Sequence, residues 1–411
     1  SDPVKNWQHV SGFVAELWRA GMARTTPFVR PTYAGRAAHL GEYKLREFWI
    51  HTNNSCNLTC EHCLVSSGPD GDKGVASETL FKAIDQAAAL GTEVFYFTGG
   101  EPFMRKDVYE LIDRVTVKHA KDLVILTNAT LFESEIHKNG LGKLDRKKVR
   151  FQVSIDGTSA EDNDPIRGKG TFVKASQGLK RLSAMGFEVS LTAVPTTKNL
   201  AGLETLPELA KELGAVSMHL MWPHRRGRAL QMLEELPTVE QLLALARKVR
   251  DRGRDLGVRL DNVESYKLRA NALPGVKHDL GMAGVEALCL YSDGILYPSA
   301  ATANHEELKI GILNGKKLLD VWKASPLAAE LRQASIAKKA SAWDDPLRFI
   351  AGGGDVEHAY FWGGSFLAKD PYETLYRELI KDAMHELATT GRDRLNRKAG
   401  FDAPVLFHAM G

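Results

Sequence analysis

Six short β-rich runs, most of them about 30 residues apart, limit this chain to a parallel sheet built from β/α units. They are FWIHTNN (48–54), VFYFTGG (94–100), LVILTN (123–128), RFQVSID (150–156), EVSLTAV (188–194) and AVSMHLMW (215–222). The stretches between them carry helical spacing. Val108, Leu111, Ile112 and Val115 share one face, as do Phe172, Ala175, Leu179 and Leu182. Thr238 and Gln241 form a capping box just after Pro237. Such a series predicts an α/β fold, either an open doubly wound sheet or a partial barrel. In both, reactive groups gather at the C-terminal ends of the strands.

The rhythm stops after residue 258. ALCLYSDGILYPS reads as a hairpin turning at Ser292-Asp293-Gly294, and LLDVWKASPLAAELRQASIA as helix. GGGDVEHAYFWGG reads as a Gly-rich loop and PYETLYRELIKDAMHELATT as a long helix. The expected division is an N-terminal extension (1–45), a β/α core (46–258), a smaller α+β domain (259–375) and a helical tail (376–411).

Cysteine usage narrows the chemistry. There are four, and Cys56, Cys60 and Cys63 fall within C-N-L-T-C-E-H-C, a CxxxCxxC spacing; the fourth is Cys289. A disulfide framework spreads its pairs along the chain, so clustering predicts a reducing, cytoplasmic setting and a metal site. Three thiolates can hold three irons of a 4Fe–4S cubane and leave the fourth iron open. A closed zinc site wants four ligands, and His51 or His62 could complete one. The triad alone leaves both open. Other classes are excluded more simply. The chain is 44% hydrophobic and 26% charged, the balance of a folded globular protein. No apolar run approaches the roughly 18 residues of a membrane span. The net charge of +3 gives no electrostatic case for nucleic acid. SDPVKNWQHV carries no signal segment.

A second motif, Thr98-Gly99-Gly100-Glu101-Pro102, ends the next strand-like run one β/α unit after the triad. Together the two resemble the radical S-adenosylmethionine (SAM) enzymes. Leu126-Thr127-Asn128, Ser154-Ile155-Asp156-Gly157 and Pro165-Ile166-Arg167-Gly168 extend the resemblance, which covers residues 45–230. It implies a partial (β/α)6 TIM-like barrel, one 4Fe–4S cluster on Cys56, Cys60 and Cys63, and bound SAM. It also implies reductive cleavage of SAM, with a 5′-deoxyadenosyl radical abstracting hydrogen from a peptide or small-molecule substrate. A reductant such as flavodoxin or ferredoxin would supply the electron. The implied SAM contacts are residue by residue. Gly99 and Gly100 let the backbone approach the amino group, Glu101 is a nearby acceptor and Pro102 stiffens the turn. Arg167 pairs with the carboxylate, Asn128 and Ser154 reach the ribose, and His62 packs by the adenine. The rival reading is a non-catalytic zinc or iron–sulfur protein without a SAM site.

Residues 281–375 resemble the SPASM/twitch-like domain that follows this barrel, through LYSDGILYPS, IGILNGKKLLDVWKASP, RFIAGGGDVEH and KDPYE. That domain normally holds auxiliary clusters on cysteines. The matching places here carry Gly281, Ser299, Ala351, Asp355 and Glu373. Cys289 is the one cysteine left and reads as a buried apolar thiol, so no auxiliary cluster is expected. Asp355, Glu357 and His358 are a candidate replacement site for a hard metal, or else polar loop residues or substrate contacts. At the end of the sixth run, His224, Arg225 and Arg228 in MWPHRRGR predict a grip on an anionic substrate group.

Overall fold

The computed structural model describes residues 3–21, 23, 25, 32–271 and 279–390. The chain divides into two compact units, Ser1–Ala34 and Gly35–Gly411. The first holds one helix, Pro3–Arg19, whose Trp7, Val10, Phe13 and Trp18 are exposed.

The second unit is built on one sheet. Its strands are β1 (Glu47–His51), β2 (Val94–Thr98), β3 (Asp122–Thr127), β4 (Val149–Ser154), β5 (Glu188–Ala193), β6 (Ser217–Leu220), β7 (Arg259–Leu260), β8 (Ala287–Leu290), β9 (Ile295–Tyr297) and β10 (Gly311–Ile312). The order is β10-β9-β8-β1-β2-β3-β4-β5-β6-β7. From β1 to β7 all neighbours are parallel, and each expected run supplies one strand of that series.

Period-two alternation explains why both faces are dry. Phe48, Ile50, Phe95, Phe97, Leu123 and Ile125 join the large core under the helices. The residues between them, Trp49, Tyr96 and Val124, join a second core on the opposite face. Trp49 lies flat on Tyr96, with ring centroids 4.0 Å apart. The helix faces read from spacing are buried as well. Val108, Leu111, Ile112 and Val115 are at most 1% exposed, on a helix that widens into a π turn over Arg114–Lys118. Thr238 and Gln241 close both halves of their capping box on the helix Val239–Leu256.

Beyond residue 258 the sheet continues rather than stopping. β7 pairs with β6, and β8 adds in parallel to the free edge of β1, placing Cys289 opposite Trp49 with no exposure. The expected hairpin is present, with β8 and β9 antiparallel. At the other end, residues 35–45 belong with the sheet. Arg36 is buried and donates to the carbonyls of Asp279, Gly281 and Leu331.

One expectation is corrected. GGGDVEHAYFWGG is not loop throughout, because Asp355 caps a helix over Val356–Gly363 by accepting from the Glu357 and His358 amides. The long helix spans Glu373–Thr390; the rest of the expected tail lies outside the described residues. Among the described residues no helix is long and apolar enough to cross a membrane.

Candidate active site

One cavity opens at the C-terminal ends of the strands. Cys56, Cys60, Cys63, His62, Gly99, Gly100, Asn128, Ser154 and Arg167 all line it, as do His224 and Arg228. The residues expected from five strand ends therefore meet. Three do not reach the lining: Glu101, Pro102 and Arg225.

The cysteine loop follows β1 and is held from three directions. From below, the Gly100 amide donates to Asn53 O at 2.8 Å, and the Glu101 amide to Ser55 O at 2.9 Å. This contact explains both glycines. A Cβ on Gly99 would stand 2.2 Å from Asn53 O, and one on Gly100 2.0 Å from Ser55 O. Gly99 also has φ +126, which favours glycine. The close approach is thus to the chain's own loop.

Glu101 explains the rigidity of the turn rather than serving as a cavity acceptor. Its carboxylate accepts from the Asn128 amide and Thr127 Oγ1, both at 2.8 Å, and from the Phe103 amide at 3.2 Å. Burial pushes its pKa up to about 7 despite these donors. Pro102 starts the short 3-10 helix that follows and is buried under it. Asn128 reaches the cysteine loop from β3, donating to Asn57 Oδ1 at 2.9 Å and lying 3.9 Å from Cys56 Sγ. Its oxygen accepts from Thr130, so the side chain positions the loop. Ser154, half-buried at the end of β4, lines the cavity.

The second hold comes from the β4 side. Asp156 has a fully buried side chain and sits between two partners, Arg167 Nε at 2.6 Å and His62 Nε2 at 2.5 Å. It also accepts from the Val194 amide at 2.7 Å. Burial opposes its charge, but Arg167 and His62 hold the carboxyl well below the usual range. Arg167 Nη1 in turn lies 3.9 Å from Cys60 Sγ. The sequence string Ser-Ile-Asp-Gly contained this residue, yet its role rests on partners remote in sequence.

The third hold comes from beyond β6, in the arginine-rich tract. The Arg228 amide donates to Cys63 O at 3.0 Å and its Nε to Cys60 O at 2.8 Å. A Cβ on Gly227 would meet the Cys63 and Leu64 carbonyls at 2.4 Å. Arg226 is buried and donates to the carbonyls of Ala301 and Ala303. Arg225 is exposed. Arg226 and Arg228 thus clamp backbone, while Arg228 Nη2 is left buried without a partner; clustering of charge in sequence did not reveal the carbonyls that receive it.

Burial raises the Cys56 thiol to about 12 and raises Cys60 too, with Arg167 opposing at Cys60. Among the described residues no three His, Cys, Asp or Glu side chains converge as a single ion requires. This applies to the triad as a zinc site and to Asp355, Glu357 and His358 as a hard-metal site. Cubane ligands bind separate irons and need no such convergence.

A parallel β/α sheet with a thiol-lined cavity at its strand ends puts the chain in the TIM-like barrel fold class. The family model "Radical SAM superfamily" matches residues 50–210. Mycofactocin maturase MftC of Mycolicibacterium smegmatis is 31% identical over 289 residues, covering 69% of this chain and 71% of that protein. The AdoMet-dependent heme synthase of Methanosarcina barkeri is 28% identical over 348 residues, covering 78% and 94%. The crystal structure of Streptococcus suis SuiB bound to S-adenosylmethionine shares the fold, with TM-score 0.64 and 18% identity over 90% of this chain and 82% of that one. The chain belongs to the radical SAM superfamily and is a radical SAM enzyme.

Proposed function

We propose that Cys56, Cys60 and Cys63 hold one 4Fe–4S cluster, that SAM binds beside it in the same cavity, and that the substrate is a peptide or a small molecule. When bound, the cluster supplies the electron that splits SAM into methionine and a 5′-deoxyadenosyl radical, which takes a hydrogen atom from the substrate. The observation that carries this reading is the single cavity joining the triad to the Gly99–Gly100 turn, Asn128, Ser154 and Arg167.

The donor set fits the cluster. Buried thiols with raised pKa values ionise readily only against coordinated positive charge, which iron supplies. Amides already approach two of the sulfurs, Leu58 N at 3.4 Å from Cys56 Sγ and Ser67 N at 3.3 Å from Cys63 Sγ.

The chain's own residues do the positioning. Arg167, oriented by Asp156, turns its remaining guanidinium edge toward Cys60 and is the group for SAM's carboxylate. His62, held by the same carboxylate and lining the cavity, would pack by the adenine. The Gly99 and Gly100 carbonyls are the acceptors for SAM's ammonium. Trp49, Leu126, Val194 and Trp222 keep the cavity largely apolar, which excludes water from a reactive radical.

The substrate class stays at peptide or small molecule. The relatives include an antilisterial bacteriocin subtilosin biosynthesis protein, AlbA, as well as the heme synthase. A reductant of the flavodoxin or ferredoxin type would dock outside the cavity. The test is anaerobic reconstitution with iron and sulfide, followed by SAM and dithionite. The reading predicts 5′-deoxyadenosine and methionine in equal amounts; intact SAM with a fully assembled cluster contradicts it.

A further inference from the structure

The cavity has a second end, away from the cysteines, and its polar groups are acidic. Asp355 and Glu357 line it beside His224, among Met221, Trp222 and Met232. Both carboxyls are nearly buried, at 8% and 4% exposure. They touch one another, and Glu357 also hydrogen-bonds Ser299. Among the described residues the lining holds only two Lys or Arg side chains, Arg167 and Arg228. Arg167 pairs with Asp156 and Arg228 donates through Nε to Cys60 O, both at the cysteine end, with Arg228 Nη2 left buried and unpartnered. Arg226 lies behind this wall, turned to backbone carbonyls and over the Phe361 ring.

Helix capping accounts for part of this arrangement and not the rest. One Asp355 oxygen accepts from the amides of Glu357, at 2.7 Å, and His358, at 3.1 Å. The Glu357 carboxyl has no part in the cap. Two touching carboxyls on an otherwise apolar wall are costly to desolvate unless a donor meets them.

Two further polar atoms are left over at the same place. His224 Nδ1 is buried without a partner. His358, 2% exposed, lies against His224 with ring centroids 4.2 Å apart and the rings tilted by 34°, and its Nε2 is likewise unpartnered. Burial lowers the His224 pKa to about 3, so its ring is neutral and offers an acceptor nitrogen. Burial and the Asp355 charge keep Glu357 protonated, while the hydrogen bonds from Glu357 and from the His358 amide hold Asp355 below its usual range.

We propose that Asp355 and Glu357, with His224, form the substrate-recognition end of the cavity and take an alkylammonium group of the substrate. This rests on the reading of the cysteine end as the cluster and SAM site. A primary ammonium carries three N–H donors, matching the Asp355 carboxylate, the Glu357 carbonyl and the His224 nitrogen. Its alkyl stem would lie along Trp222 and Met232. The preference is opposite in sign to the anion suggested by the arginine-rich tract.

The test is ligand-observed NMR binding of n-butylammonium, n-butanol and pentanoate to the reconstituted chain with SAM present. Cluster content and SAM affinity are recorded on the same samples. The expected result is n-butylammonium bound at least about tenfold better than pentanoate, falling to no preference in Asp355→Asn and kept in Glu357→Gln, whose amide retains the carbonyl acceptor. Asn still caps a helix, and Gln is isosteric with Glu, so both variants keep the fold. Pentanoate bound as well as the amine, or a preference that survives Asp355→Asn, would overturn the proposal. An amine preference in protein that holds neither cluster nor SAM would instead contradict the radical SAM reading and leave the ammonium site standing.

Discussion

The buried carboxylate of Asp156 lies 2.6 Å from Nε of Arg167. The same group holds His62 at 2.5 Å, so one side chain on the β4 loop orients two residues proposed to face SAM. Arg167 has an 8% exposed surface, and its charge inside the protein is tolerable because Asp156 is there.

Asp156→Ala should therefore lower stability by about 3–5 kcal/mol, the usual effect of stranding one half of a buried ion pair. Asp156→Asn should keep the fold better yet weaken SAM binding, since neither Arg167 nor His62 is held by charge. Urea denaturation and equilibrium dialysis of SAM read the two effects. Unchanged SAM affinity in Asp156→Asn would mean that the carboxylate only supports packing.

Gly100→Ala puts a methyl against the Ser55 carbonyl, which is backbone and cannot swing away. The expected outcome is a displaced cysteine loop and about tenfold or greater loss of retained iron after reconstitution. Circular dichroism should stay that of the folded protein. Normal iron retention would show that the turn has slack the geometry does not reveal.

Arg228 and Arg225 are three residues apart and should behave differently. Arg228→Ala removes the donor to Cys60 O, a charge-assisted bond worth about 1.5–3 kcal/mol. Iron loss to a chelator should become roughly tenfold faster. Arg225 is exposed, and Arg225→Ala should lose iron at the parental rate. Similar rates in the two variants would dismiss the clamp.

Asp261 offers a pH test far from the cavity. Burial raises its pKa to about 7, although Ser217 and Ser190 donate to it at 3.1 Å. The folded state thus binds this proton more tightly than the unfolded chain, whose carboxyl titrates near the ordinary ~4. The stability it contributes is full below that value and is lost as pH rises toward 7. Relative to Asp261→Asn, the parent should lose roughly 3–5 kcal/mol between about pH 4 and pH 8, followed by urea midpoints. Parallel pH profiles for the two proteins would show that Asp261 is not buried as a neutral acid.

Much of this was legible in the sequence because it is local. Strand alternation, the CxxxCxxC spacing, the Thr238–Gln241 box and the β8–β9 turn each lie within a few residues. The unseen parts depend on distance. His62 and Asp156 are 94 positions apart, and no local pattern announces the pair. The arginines after β6 looked like an anion site because charge clusters in sequence, while their carbonyl partners sit 168 and 75 positions away. Asp355 was read inside a glycine-rich loop, where its capping of the next helix is masked by the glycines around it.

The central claim is that three cysteines, and no other protein thiols, hold a single cluster that cleaves SAM. Iron and sulfide analysis of the anaerobically reconstituted parent and of the Cys56→Ala, Cys60→Ala, Cys63→Ala triple variant tests it directly, with 5′-deoxyadenosine measured on both. About four irons per chain in the parent, and neither cluster nor 5′-deoxyadenosine in the variant, is the predicted result. About eight irons, or a variant that still cleaves SAM, would contradict it.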